Sequence, residues 1–148
     1  MRLLGLTGLV TVEKITLALD LARQHADAGR TVTVIDNVHQ LAVDGAGLMG
    51  IEVIRLEGDL RDDLWTVIEG VTSDVIVLAV SETMPPDDLL LLLADVRDAL
   101  PQIEITTLAL IDTRTCDCFP QLRAQLEDYA DVVVNLPVRV DELMRQLV

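Results

Sequence analysis

Residues 2–16 read RLLGLTGLVTVEKIT, and this stretch decides the fold. Its apolar start, Arg2–Leu6, predicts a strand, Thr7-Gly8 predicts a turn, and Val12–Ala28 predicts a helix. The stretch also holds Lys14, the single lysine of the chain beside ten arginines. Because phosphate-binding loops place a lysine where the first strand turns into a helix, Lys14 is a candidate phosphate ligand.

The spacing around Lys14 matches the phosphate-loop motif, Gly-x4-Gly-Lys-Ser/Thr, at two of its four signature positions. Gly8 and Lys14 are kept, whereas Glu13 replaces the second glycine and Ile15 replaces the hydroxyl residue that holds Mg²⁺. A carboxylate about 4 Å from a phosphate charge costs roughly 4 kcal/mol at an effective dielectric constant of 20. Ile15 cannot bind a metal, and Thr16 lies about 100° further round the helix. The loop is therefore predicted to have lost its usual chemistry.

The rest of the chain alternates between strand and helix patterns, which predicts parallel strands joined by right-handed crossovers. The expected fold is a three-layer α/β sandwich with a mainly parallel, Rossmann-like sheet, formed by residues 1–148 as one domain. Ligands bind at the carboxyl ends of the strands in such sheets. The predicted strands after the first are Thr31–Ile35, Glu52–Leu56, Asp74–Val80, Ile105–Ile111 and Asp131–Asn135, and the predicted helices are Asp59–Glu69, Pro85–Ala99, Phe119–Tyr129 and Asp141–Leu147.

With the loop placed, the chain resembles the ParA/MinD-type, SIMIBI-class branch of the P-loop NTPases. Residues 30–36 resemble the second strand of that family, and Asp36 matches its first acidic residue, while Val38 falls where a second aspartate is common. Residues 74–80, DVIVLAV, resemble the Walker B strand, but Ala79 or Val80 stands where a metal-associated aspartate is expected. Because the motif positions Glu13, Ile15 and Ala79 depart together, the chain is expected to be a degenerate member.

The resemblance implies a set of nucleotide-site positions, and their losses imply a non-catalytic protein. The expected function is a pseudo-ATPase-like scaffold or accessory subunit with no cofactor, and the alternative is an ATP- or GTP-dependent switch with Mg²⁺ and a variant loop. A plugged loop, in which the Glu13 carboxylate sits beside Lys14, is a hypothesis that follows. The candidate site residues are Gly8, Thr11, Glu13, Lys14, Thr16 and Asp36.

The acidic composition bears on partners and location. A net charge of -14 opposes binding to nucleic acid or to an anionic membrane surface. No apolar run is long enough to insert in a membrane, no signal peptide is evident, and a cytoplasmic location is expected. A protein partner or a homo-oligomer is expected instead. The run of five leucines, Leu89–Leu93, is either buried against the sheet or a subunit interface.

Three further features leave alternatives open. Cys116 and Cys118 follow a predicted strand at the ligand edge and are weak candidates for a metal site, although two ligands do not close a zinc site. His25 is predicted to be solvated on the polar side of the first helix. Asp36 would also fit the acidic pocket of a receiver-like fold, but no lysine follows the later strands.

Overall fold

The computed structural model describes residues 1–8, 11–38, 50–81, 83–112 and 120–147. Six strands and five helices lie within these ranges. The strands are β1 (Arg2–Thr7), β2 (Val32–Asp36), β3 (Ile51–Arg55), β4 (Val75–Ala79), β5 (Glu104–Ile111) and β6 (Val132–Asn135). The helices are α1 (Thr11–Asp27), α2 (Leu60–Glu69), α3 (Pro86–Ala99), α4 (Pro120–Tyr129) and α5 (Val140–Leu147).

All six strands pair in parallel in one sheet, in the order β3-β2-β4-β1-β5-β6. The most apolar runs of the sequence form the centre of this sheet, because a strand covered on both faces has no polar side to present. Every residue of β4 is buried, as is every residue of β2. The predicted α/β sandwich with a parallel sheet is confirmed.

The helices cover both faces of the sheet and form two separate cores. One core joins alternate residues of β1, β2 and β4 to the apolar faces of α1 and α5. The other joins the intervening residues to α2 and α3. The alternation follows from the two-residue period of a strand, so Leu4 and Leu3 face opposite cores.

Local sequence signals explain where several helices begin and end. Asp59 caps α2, since its side chain accepts a hydrogen bond from the Arg61 amide. Gly29, at φ 86°, follows α1 in the left-handed conformation that favours glycine. Pro86 occupies the first turn of α3. None of the described helices is long and apolar enough to cross a membrane.

The leucine run in α3 is divided between the core and the surface. Leu89 and Leu93 are buried against the sheet, whereas Leu90 and Leu91 are exposed. Burial against the sheet, one of the two alternatives, therefore holds for the inner side of the helix, and the outer side is exposed because a helix resting on a sheet turns only one face inward.

Candidate functional site

Lys14 lies in the first turn of α1 and is completely buried. Its Nζ donates hydrogen bonds to two main-chain carbonyl oxygens, those of Gly8 and Val80, each at 2.7 Å. Burying an ammonium group is costly unless it is hydrogen-bonded, and carbonyl acceptors meet that need. Lys14 thus ties the turn after β1 to the end of β4.

Gly8 is held by its backbone and by a close neighbour. Its backbone φ of 136° is one that residues with a side chain rarely adopt. A Cβ at this position would also lie 2.5 Å from the carbonyl oxygen of Leu110 in β5. A glycine is therefore required here by the contact with β5 as well as by any phosphate site.

The other described residues of the loop motif lie either on the solvent-exposed face of α1 or on the face that packs against the core. Glu13 and Thr16 are exposed. Ile15 is half-buried and packs against the core shared with α1 and α5. Thr11 opens α1, and its side chain lies outside the described part. Two acceptors of the Lys14 ammonium are main-chain oxygens, and the Glu13 side chain is exposed, so the plugged loop stays a prediction.

Asp36 ends β2 and is completely buried at the same carboxyl edge of the sheet. Its Oδ1 accepts a hydrogen bond from the amide of Val38 at 2.9 Å, which fixes the chain as it leaves the strand. Its register partner on β4 is Ala79, also fully buried. The Walker B position thus carries a methyl group beside an acid on the neighbouring strand.

Asn37 is a site residue that the sequence predictions missed. Its Nδ2 donates to the carbonyl oxygens of Leu56 and Gly58, both at 3.1 Å, and its Oδ1 accepts from the amide of Ser81 at 3.1 Å. One buried amide therefore joins the ends of β2 and β4 to the loop before α2. The available signal was a second polar residue directly after a buried strand, next to Asp36.

Buried polar residues gather at this edge. The described chain buries seven polar or charged residues, and five of them lie at or next to the carboxyl ends of strands. Asp112, which follows β5, is one of these. The edge also carries a hollow of about 390 Å³ beside Asn37, Ser81 and Thr83. The five residues are Thr7, Lys14, Asp36, Asn37 and Asp112.

An ion-pair cluster closes one side of that hollow. The Arg61 guanidinium contacts the carboxylates of Asp59 and Asp88, joining the start of α2 to the start of α3. Hydrogen bonds from the Arg61 side chain and amide lower the pKa of Asp59 to about 2. Because Arg61 forms ion pairs with carboxylates at the starts of both helices, it links α2 to α3.

His25 was predicted to be solvated, and this prediction is wrong. His25 is buried on α1, at the amino end of the sheet, away from Lys14. Arg30 donates a 2.8 Å hydrogen bond to its Nδ1, so the imidazole is neutral. Burial, and then the charges of Arg30 and Arg2, lower the pKa of His25 below its usual 6.5. Its position four residues after Leu21, on the apolar side of the helix, was the signal for burial.

The described residues offer few side chains that could bind a metal ion together. No group of three metal-binding side chains occurs in residues 1–8, 11–38, 50–81, 83–112 and 120–147. The predicted candidates Cys116 and Cys118 lie outside these ranges. At the two positions where the motif would supply Mg²⁺ ligands, Ile15 and Ala79 offer none.

Solved structures share this fold. FtsY from Thermotoga maritima matches 90% of the chain at 18% identity with a TM-score of 0.64, and the match covers 52% of that protein. The Zn(II)-bound YjiA GTPase from E. coli matches 99% at 20% identity with a TM-score of 0.56, covering 54%. A de novo designed protein with a P-loop NTPase fold matches 99% at 12% identity with a TM-score of 0.54, covering 88%.

These similarities confirm the fold to which the sequence was likened. FtsY and YjiA are SIMIBI-class P-loop NTPases, and the chain has a P-loop NTPase-like fold. The chain spans about half the length of these two natural proteins. No family model and no curated protein matches the chain.

Proposed function

We propose that this P-loop NTPase-like domain is non-catalytic and acts as a scaffold or accessory subunit that binds another protein. The observation that carries the proposal is the state of Lys14, which is buried and bonded to the carbonyl oxygens of Gly8 and Val80. A phosphate-binding lysine must offer its ammonium group to the ligand. Here that group already holds the fold together.

A nucleotide would have to compete with these internal acceptors. A hydrogen bond to a charged group contributes about 1.5–3 kcal/mol, so withdrawing Lys14 from either carbonyl has a measurable cost. Glu13 adds a negative charge at the start of α1, which opposes an incoming phosphate. Both effects disfavour nucleotide binding.

The two positions at which the motif would supply Mg²⁺ ligands, Ile15 and Ala79, pack in the core. Mg²⁺ takes oxygen ligands in near-octahedral geometry, commonly carboxylates, phosphates and water. Ile15 packs on one core of the sandwich, and Ala79 is a fully buried part of that same core. An apolar residue at both positions supports a protein without phosphoryl-transfer activity.

A nucleotide-dependent switch that uses ATP or GTP with Mg²⁺ is the second candidate. Asp36 favours it, because this buried acid lies beside Ala79 in the sheet and could stand in for the missing Walker B carboxylate. The amino terminus of α1 favours it as well, since helix amides and the helix dipole attract anions.

Calorimetric titration of three proteins with ATP and GTP, with and without Mg²⁺, separates these functions. The native chain is expected to give no binding. The double variant Glu13→Gly, Ile15→Thr restores the motif and is expected to gain Mg²⁺-dependent binding. Adding Lys14→Met to that variant is the control, and it should abolish the gain. Micromolar binding or turnover by the native chain would favour the switch.

A further inference from the structure

The exposed apolar side chains of the described residues are concentrated on two adjacent helices. Four large ones are exposed among the described residues, and the three on these helices form what we call the α3–α4 patch: Leu90, Leu91 and Tyr129. Leu91 is the most exposed, at 66%. Leu90 and Tyr129 line the same small apolar cleft between α3 and α4, and Leu91 is the next residue of α3 after Leu90. Contiguous exposed apolar surface typically marks a binding site.

Carboxylates surround this patch. The Tyr129 hydroxyl is hydrogen-bonded to Asp87, and this bond raises the pKa of Tyr129 above its usual 10. Asp128 adds negative charge beside the same ring. Asp95 lies one helical turn beyond Leu91. In all, α3 carries four aspartates and one arginine, a net charge of -3.

The charge decides what kind of partner fits. A second copy of the chain would bring its own acidic rim and a net charge of -14, and like charges across an interface are costly. A partner with basic side chains around an apolar centre would satisfy both features. An amphipathic helix supplies that arrangement, because residues three and four apart share one face.

We propose that the α3–α4 patch binds an amphipathic helix of another protein, with leucine-like side chains on Leu90 and Leu91 and with lysine or arginine facing the aspartates. This inference rests on the proposed function, because it identifies the surface through which the scaffold would bind another protein. The partner is defined by its chemistry, an apolar stripe flanked by positive charge.

Two synthetic helical peptides of equal length test the proposal, one built from leucine and lysine and one from leucine and glutamate. Fluorescence anisotropy should show binding of the Leu/Lys peptide and none of the Leu/Glu peptide. The variant Leu90→Ser, Leu91→Ser should weaken binding at least tenfold. Both residues are exposed, and an unchanged circular dichroism spectrum would verify that the variant is folded.

Matched charge variants separate a specific site from general attraction to an acidic protein. Asp95→Asn, Asp98→Asn should weaken binding of the Leu/Lys peptide. Asp62→Asn, Asp63→Asn removes the same charge from α2 and should leave binding nearly unchanged. Equal effects of the two pairs would overturn the proposal, as would peptide binding that survives the loss of both leucines.

Sedimentation of the native chain supplies the remaining outcome. A dimer that dissociates when Leu90 and Leu91 become serine would overturn the proposal, because a second copy would then cover the patch. Nucleotide titration is independent of these results. Failure of peptide binding would contradict the proposed patch but not the non-catalytic state of the loop. Nucleotide binding would contradict the proposed function but would not bear on whether the patch binds a helix.

Discussion

Gly8 tests whether the turn after β1 is fixed by packing. Replacement by alanine combines an unfavourable φ with a Cβ 2.5 Å from the Leu110 carbonyl oxygen. We expect Gly8→Ala to lower the free energy of unfolding by about 3 kcal/mol or more. Urea denaturation measures this change.

Gly58 provides the matched control for that substitution. Its φ is also positive, at 92°, but a Cβ there would meet no atom within 4 Å. Gly58→Ala should therefore cost only the backbone strain, about 1–2 kcal/mol. Equal losses at the two glycines would contradict the close approach of Gly8 to β5.

Lys14 is expected to be a structural residue. Lys14→Ala removes two hydrogen bonds and leaves a hole in a fully buried position. We expect a loss of about 2–4 kcal/mol in the free energy of unfolding, measured in urea without any ligand. Arg23→Ala, on the exposed side of the same helix, should change stability by less than about 0.5 kcal/mol. A Lys14 variant as stable as the native chain would contradict this role.

His25 makes stability depend on pH. Its pKa in the folded state lies below the unfolded value of about 6.5. Below pH 6.5 the unfolded chain therefore binds more protons, so stability is fully present above that pH and falls as the pH drops toward the folded pKa. Comparing urea midpoints at neutral and mildly acidic pH should show a smaller loss for His25→Gln than for the native chain. An equal loss would mean that His25 does not titrate this way.

At the scale of elements, Asn37 is expected to hold three chain segments together. Asn37→Ala leaves two carbonyl oxygens and the Ser81 amide without their side-chain partner. We expect a loss of about 2–3 kcal/mol and faster hydrogen exchange of the Ser81 amide.

Asn37→Asp is the control for this network. Aspartate keeps the acceptor for the Ser81 amide but loses both donors to Leu56 and Gly58. The Ser81 amide should then stay protected although overall stability falls. Protection of Ser81 in the alanine variant would contradict the bridge.

Local signals in the sequence predicted the elements well, because each had a clear periodicity or cap. DVIVLAV could only be a central strand, and Asp59 and Gly29 marked the ends of their neighbouring helices. The edge that gathers Lys14 and Asp36 followed from parallel topology alone. The partners of Asn37 did not, because they depend on which loops meet after the chain has folded.

At the scale of the whole molecule, the two motif positions that hold apolar residues, Ile15 and Ala79, contribute to the packing of the core. Ile15 and Ala79 belong to one core, and Lys14 joins the first turn of α1 to the end of β4. The side chains of the sandwich therefore pack on one another at the positions where the proposed function expects neither nucleotide nor metal to bind.

Calorimetric titration of the native chain with Mg²⁺-ATP and Mg²⁺-GTP tests this central claim most directly. If Lys14 is committed to the carbonyl oxygens of Gly8 and Val80, neither nucleotide should produce a binding isotherm. Saturable micromolar binding of either nucleotide would contradict the claim, because it would show that Lys14 and the turn after β1 still receive a phosphate.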